Sequence, residues 1–318
     1  MKQLRKYIPM PVKHGLYHVY SSTIPKILSA SLGLIGYNVS RRRNFYSPLP
    51  SLPDLKKNIA RWYRPSSLTG IDYDLDAMKA MLSGLLSQYR DEFIQMPAYN
   101  ELKDRGFGLG YTPVDAMILY MMIRHLKPAR YIEVGSGLST YYCSLAAKRN
   151  RDEGSPLKMT CIEPYPLKHL YSIEGIEVIA KEVQDVPAQI FAELNAGDVL
   201  FIDSSHMLRV DSDVPYLYLE ILPRTAPGTY IHIHDVPFPY NVPYPAERWI
   251  FGQAEPMFWN EAMVLQALLC GNPSFEIILS APMIRYHDEE FLRSRIPIYE
   301  TVEENSNTFS SIWLKRAA

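Results

Sequence analysis

The sequence predicts an α/β protein built on a parallel, doubly wound sheet. Three observations carry that expectation. From Ala129 onward, short apolar runs alternate with helical patterns, the arrangement of strands joined by crossover helices. A glycine turn, Gly135-Ser136-Gly137, links the first run to the first of these helices. Acids or histidines close several of the runs: Glu133, Glu163, Asp203 and His234-Asp235. Ligands of open α/β sheets sit outside the carboxyl ends of the strands, so these residues are the candidates for chemistry.

The chain reads as two regions, 1–105 and 106–318, the first helical and irregular. Residues 24–39 are apolar but interrupted by Pro25, Ser29, Ser31 and two glycines. That stretch is too short and broken to span a bilayer, and it starts too far in for an ordinary signal peptide. It reads as a helix docked on the main domain, with a membrane-surface helix as the alternative; Arg41-Arg42-Arg43 follows it. Residues 45–53, rich in proline and serine, read as a loop. Helical periodicity marks 54–63 and 74–93, where Leu75, Met78, Met81, Leu82, Leu85 and Leu86 recur at three and four. Residues 106–110 form a glycine-rich turn. Thr112 then caps a helix that has Pro113 at its first position and runs to about His125.

Strand one is 131–134. The helix after the glycine turn, at 140–149, opens with the hydroxyls Ser139 and Thr140. Strands follow at 158–163, 176–180, 199–203, 229–234 and 275–279, with a last one at 310–314. Between them, helical segments are expected at 167–171, 187–194, 216–222 and 260–269.

Composition narrows the function. Lysines and arginines number 33 against 34 acids, and no long basic stripe points to nucleic acid. Cys143, Cys161 and Cys270 are far apart and have no metal-ligand spacing. A disulfide framework is not expected, and a reducing, cytoplasmic setting fits.

The glycine turn alone is a weak signal. Thr140 stands where the dinucleotide fingerprint has its third glycine. Glu133, two residues before the turn, suits a cationic ligand better than a pyrophosphate. Glu163 lies 28 residues after Gly135 (163 − 135), where an acid suits a ribose diol. Gln184 and Asp185 follow strand three, where they suit an adenine edge.

Taken with the 197–203 strand and Leu222-Pro223-Arg224-Thr225-Ala226-Pro227-Gly228 before strand five, this set resembles the class I S-adenosylmethionine-dependent methyltransferases. The resemblance covers residues 106–318. It implies a Rossmann-like seven-stranded sheet of order 3-2-1-4-5-7-6, its last strand antiparallel and helices on both faces. It also implies a cofactor site of Glu133, Gly135, Ser136, Gly137, Ser139, Glu163, Gln184, Asp185 and Asp203. Tyr111 and Asp115 are expected either to close over the cofactor or to cap the surface.

Strands four and five are similar to those of catechol O-methyltransferase-like enzymes. Those enzymes hold a divalent cation with an acid after strand four and an Asp-Asn pair after strand five, and a lysine three residues past the first acid is the base. Here Asp203 takes the first position, His206 falls on the lysine, and His234-Asp235 stands for the pair. The implied metal set is Asp203, His234 and Asp235, softer than the all-oxygen set magnesium prefers, so manganese, iron or zinc become candidates, as does no metal. His206 is the expected general base. His232 reads as a hydrogen-bonded core histidine. The proline-rich loop from Asp235, with Trp249, Phe251, Phe258 and Trp259 beyond, reads as an acceptor pocket or lid.

The expected activity is O-methylation of a small-molecule hydroxyl on a sugar, polyketide or phenolic. Two alternatives stand beside it: a nicotinamide-dependent oxidoreductase, and a non-catalytic cofactor-binding protein of the same fold. The N-terminal region is expected either to serve a homodimer contact or to cover the site.

Overall fold

The computed structural model describes residues 19, 23–37, 46–104, 106–107, 110–299 and 309–317. Arg41-Arg42-Arg43 and part of the 106–110 turn lie outside the described residues. The chain forms two compact units, Met1–Trp62 and Tyr63–Ala318. The sequence places its boundary near residue 105, whereas contacts divide the chain at Tyr63.

Seven strands make one sheet: β1 (Arg130–Val134), β2 (Lys158–Ile162), β3 (Ile176–Ile179), β4 (Val199–Ile202), β5 (Tyr230–Ile233), β6 (Phe275–Ser280) and β7 (Ile312–Arg316). Their order is β3-β2-β1-β4-β5-β7-β6. Strand β7 is antiparallel to both neighbours and the other pairings are parallel. This is the order implied by the class I methyltransferase resemblance. The central strand β4, Val-Leu-Phe-Ile, is buried at every position, as a parallel strand covered on both faces must be.

Helix α1 (Leu75–Ile94) starts at Asp74, whose side chain accepts from the Ala77 amide at 2.9 Å. Helix α2 (Pro113–Leu126) follows Thr112, whose hydroxyl accepts from the Asp115 amide. Eleven of its residues are buried, so it is a core helix rather than a surface one. Its last turn buries Arg124, which is matched by charge: Nε donates to Glu92 at 2.8 Å, Nη2 to Glu153 at 2.5 Å, and Nη1 to Asn150.

Helix α3 (Leu138–Asp152) begins two residues earlier than the sequence suggests, directly on the glycine turn. Helices α4 (Glu261–Leu269) and α5 (Ala281–Arg295) complete the main set. Helix α5 is absent from the sequence reading, although Ser280 caps it and Pro282 sits in its first turn. The segment expected as a helix at 187–194 closes only a short 3₁₀ turn at Phe191–Glu193.

In the N-terminal unit, helix Ile24–Gly33 buries none of its residues. The segment 54–63 is two short helices, Leu52–Lys57 and Ile59–Trp62. Among the described residues, no helix is long and apolar enough to cross a membrane.

Candidate active site

The glycine turn is built around a contact that tolerates no side chain. Gly135 has φ +87°, and a Cβ there would lie 2.0 Å from the Asp203 carbonyl oxygen. The missing side chain lets the β4 end close onto the β1 end. The Asp203 amide completes the approach by donating to the Val134 carbonyl at 2.8 Å.

Glu133 does not open into the cleft. It is fully buried, and its two carboxylate oxygens accept from Ser139 Oγ and Thr140 Oγ1, each at 2.5 Å. Burial pushes its carboxyl up to about 7, against the pull of Ser139, Thr140 and Cys161. Its position makes it a tie between β1 and the start of α3.

Two clefts meet at Asp203-Ser204-Ser205. The smaller, of about 630 Å³, is lined by Gly135, Glu163 and Gln184 among others. Asp185 is exposed and does not line it; the Asp185 amide is spent in a turn on the Glu182 carbonyl. The larger, of about 1140 Å³, is lined by Ser136, Gly137, Ser139 and Tyr111 on one side and by Tyr244, Trp249 and Trp259 on the other. The loop after β5 supplies part of this second wall, where an acceptor pocket was expected.

At the floor of the larger cleft stands a cluster of acids and imidazoles. His206 Nε2 lies 3.3 Å from Asp203 Oδ1 and 3.3 Å from Asp235 Oδ2. Its Nδ1 lies 2.7 Å from Glu261 Oε2, a carboxylate that is itself buried. His234 repeats the pattern: Nδ1 is 3.2 Å from Asp203 Oδ1, and Nε2 is 3.4 Å from Asp115 Oδ2. Each ring therefore has one nitrogen on a buried carboxylate and the other turned to the strand ends.

The local chain explains these placements. His206 (φ +58°) and Asp235 (φ +56°) both take the left-handed conformation just past β4 and β5, which turns their side chains back over the sheet edge. The 203–206 loop is fixed by Ser205, whose amide and hydroxyl both donate to Asp213. The start of α4 clamps the other side: the Asn260 and Glu261 amides donate to the His206 carbonyl at 3.0 and 3.2 Å. The Trp259 ring covers the imidazole, centroids 4.8 Å apart. Asp235 is steadied by Ser310 Oγ, which donates to it at 2.8 Å.

Charge follows geometry. Burial lowers the His206 pKa, but Asp203, Glu261 and Asp235 outweigh it and hold the ring well above its ordinary value. His234 behaves likewise, burial being overcome by Asp235, Asp203 and Asp115. Burial would raise Asp203, yet the two histidines hold it well below the usual carboxylate range.

Asp203, His206 and Asp235 each offer one ligand atom, all within 4.8 Å of one another. The metal set implied by resemblance had His234 in place of His206. His234 lies deeper, with its ring against Tyr111 at 4.7 Å. Asp115 does not close over a cofactor; it is buried, accepts from Thr112 Oγ1 at 2.7 Å, and holds His234. Glu261 was not predicted, because no spacing in the sequence ties it to His206, 55 residues earlier.

His232 is a core histidine, but not a hydrogen-bonded one. Neither ring nitrogen has a partner among the described residues. It stacks between Phe201 (4.4 Å) and Trp313 (4.2 Å), and burial lowers its pKa well below the ordinary value.

Residues 132–236, from β1 to just past β5, match a family model described as a methyltransferase domain. An uncharacterized protein of Archaeoglobus fulgidus is 26% identical over 164 residues, covering 48% of this chain and 72% of that protein. An O-methyltransferase from Bacillus cereus, solved in complex with SAH, is similar with a TM-score of 0.43 at 14% identity, over 77% of this chain and 100% of that one. A methyltransferase from Geobacter sulfurreducens is similar with a TM-score of 0.32 at 14% identity, over 54% and 82%.

Proposed function

We propose that the protein is an S-adenosylmethionine-dependent methyltransferase that methylates a hydroxyl of a small, ringed molecule, assisted by a divalent cation. The observation that carries the second half is the pair of imidazoles, each fixed by a buried carboxylate and aimed at Asp203 and Asp235. Metal-binding histidines are oriented in this way by a carboxylate on the other ring nitrogen. The residues that would hold the cation are Asp203, His206 and Asp235. A mixed oxygen and nitrogen set suits manganese, iron or zinc better than magnesium. When bound, such a cation would lower the pKa of the acceptor hydroxyl.

The chain's own residues do the rest. The cofactor reading rests on the methyltransferase-domain match and on the smaller cleft, where Glu163 would accept from the ribose hydroxyls and Gln184 would meet the adenine. Ser136 and Gly137 would border the methionine part. The aromatic wall of Tyr244, Trp249 and Trp259 would hold the acceptor ring and exclude water, so that the hydroxyl lies in line with the transferred methyl. Glu261 keeps the His206 ring in one tautomer, with Nε2 facing the acceptor. Nε2 lies 3.3 Å from both Asp203 and Asp235, and His206 would act as ligand or base through that nitrogen in its neutral form.

The test is calorimetric titration of chelator-treated protein with S-adenosylhomocysteine, then with manganese and magnesium, in buffers of different ionisation enthalpy. Micromolar S-adenosylhomocysteine binding, and release of about one proton with manganese, are the expected results. No binding of S-adenosylhomocysteine in any condition would sink the methyltransferase reading. Nicotinamide cofactors would then be tried next.

A further inference from the structure

Helix Ile24–Gly33 buries none of its ten residues. Ile24, Ile27, Leu28 and Leu32 recur at three and four and so share one face, while Lys26, Ser29 and Gly33 lie on the other. Ile24, Ile27 and Leu28 are 43%, 58% and 43% exposed. The turn that follows continues the apolar surface with Leu34 and Ile35, at 88% and 68%. An apolar face this open, on a helix with no buried residue, needs an occupant.

The charge of the surrounding sequence says which. Residues 1–53 contain eight of the chain's 33 lysines and arginines and none of its 34 acids; the first acid is Asp54. The remainder of the chain therefore has an acid excess of nine, and the near-neutral total conceals a basic arm on an acidic body. Arg41-Arg42-Arg43 comes eight residues after the helix end (41 − 33).

We propose that this N-terminal segment attaches the protein to anionic lipid surfaces, with the apolar face of Ile24–Gly33 lying in the headgroup boundary and the flanking basic residues paired with lipid phosphates. Neither half suffices alone. A ten-residue helix with four large apolar side chains is a weak anchor, and a basic arm without it is released by salt. Together they give the two signals that stable surface attachment needs. The apolar face also separates this reading from nucleic-acid binding, which would use the basic residues and leave Ile27 and Leu28 in water.

The experiment is co-sedimentation of the full chain with phosphatidylcholine vesicles, with and without phosphatidylserine, at low and high salt. The variants are Arg41→Gln/Arg42→Gln/Arg43→Gln and Ile27→Ser/Leu28→Ser. The protein should pellet with phosphatidylserine vesicles and not with pure phosphatidylcholine. The triple variant should partition roughly a hundred-fold more weakly, at about fivefold per basic residue. The double variant should lose at least tenfold. Neither should shift thermal unfolding, because the helix contributes no buried residue. No pelleting with anionic vesicles, or pelleting of either variant equal to that of the native protein, would overturn the proposal. So would a dimer that Ile27→Ser/Leu28→Ser dissociates without any change in vesicle binding, or binding to duplex nucleic acid alone.

Discussion

Replacing Glu133 by glutamine separates a ligand-binding carboxylate from one that ties the turn together. The side chain is fully buried and accepts from Ser139 and Thr140. Burial lifts its pKa from 4.5 to about 7. The folded chain therefore keeps a proton on Glu133 that the unfolded chain has already lost, and stability falls as pH climbs from about 4.5 to about 7. A shift of about 2.5 units corresponds to about 3 kcal/mol, of which about 2.5 kcal/mol is lost between pH 5 and pH 8. Glutamine fills the same volume and cannot ionise, and the two hydroxyls rotate to meet its amide. The assay is urea unfolding of both proteins across pH 5 to 8, read as the difference between their free energies so that every other titrating group cancels. Glu133→Gln should gain on the native protein steadily as pH rises. Parallel curves would refute the buried, proton-holding role. A more than tenfold loss of S-adenosylhomocysteine affinity in the variant would show instead that the carboxylate reaches the ligand.

Other substitutions test the neighbouring contacts. Gly135→Ala places a Cβ against the Asp203 carbonyl at a left-handed φ, and should cost at least 3 kcal/mol, a fall in melting temperature of about 6 °C or more by scanning calorimetry. An unchanged melting temperature would mean that the turn relaxes freely. Glu261→Gln leaves an acceptor near His206 Nδ1 but removes the charge, and should weaken manganese binding by about 10- to 100-fold, measured by titration calorimetry. Unchanged affinity would detach Glu261 from the proposed site. His206→Ala should abolish proton release on manganese binding and leave S-adenosylhomocysteine affinity within a few-fold; a large loss of cofactor affinity would move His206 into the cofactor site.

The sheet was legible because its signals are local. Each strand is a short, mainly apolar run, and the ends of β1, β2, β4 and β5 are marked by a glycine or an acid. The single long helix the sequence missed, α5, begins with Ser280-Ala281-Pro282, a sound start signal, but its body is charged and its periodicity is broken by a kink at Asp288. The site was half legible. Asp203, His206, His234 and Asp235 follow from strand ends, since consecutive parallel strands deliver their last residues to one edge. The second ring of residues was not, because Asp115 and Glu261 come from helix starts that only the folded chain brings beside the histidines. Burial was the other hidden quantity. Glu133 looks like a ligand group in a list of strand ends, and only the closure of α3 over it shows that its oxygens are taken.

Asp203 is where the two halves of the proposed reaction meet. Its backbone reaches Gly135 through the gap left by an absent side chain, and its carboxylate faces His206 and His234. The same residue lines both clefts. A displacement of the glycine turn therefore shifts the Asp203 carboxylate, and a change in charge at that carboxylate acts on a strand end whose amide is bonded to the end of β1, where the glycine turn begins. In a methyl transfer this sharing has a use, because donor and acceptor must be held collinear within a fraction of an ångström. An arrangement with separate supports for the two partners would have to control that distance across two independent loops. Here a single strand end sets it.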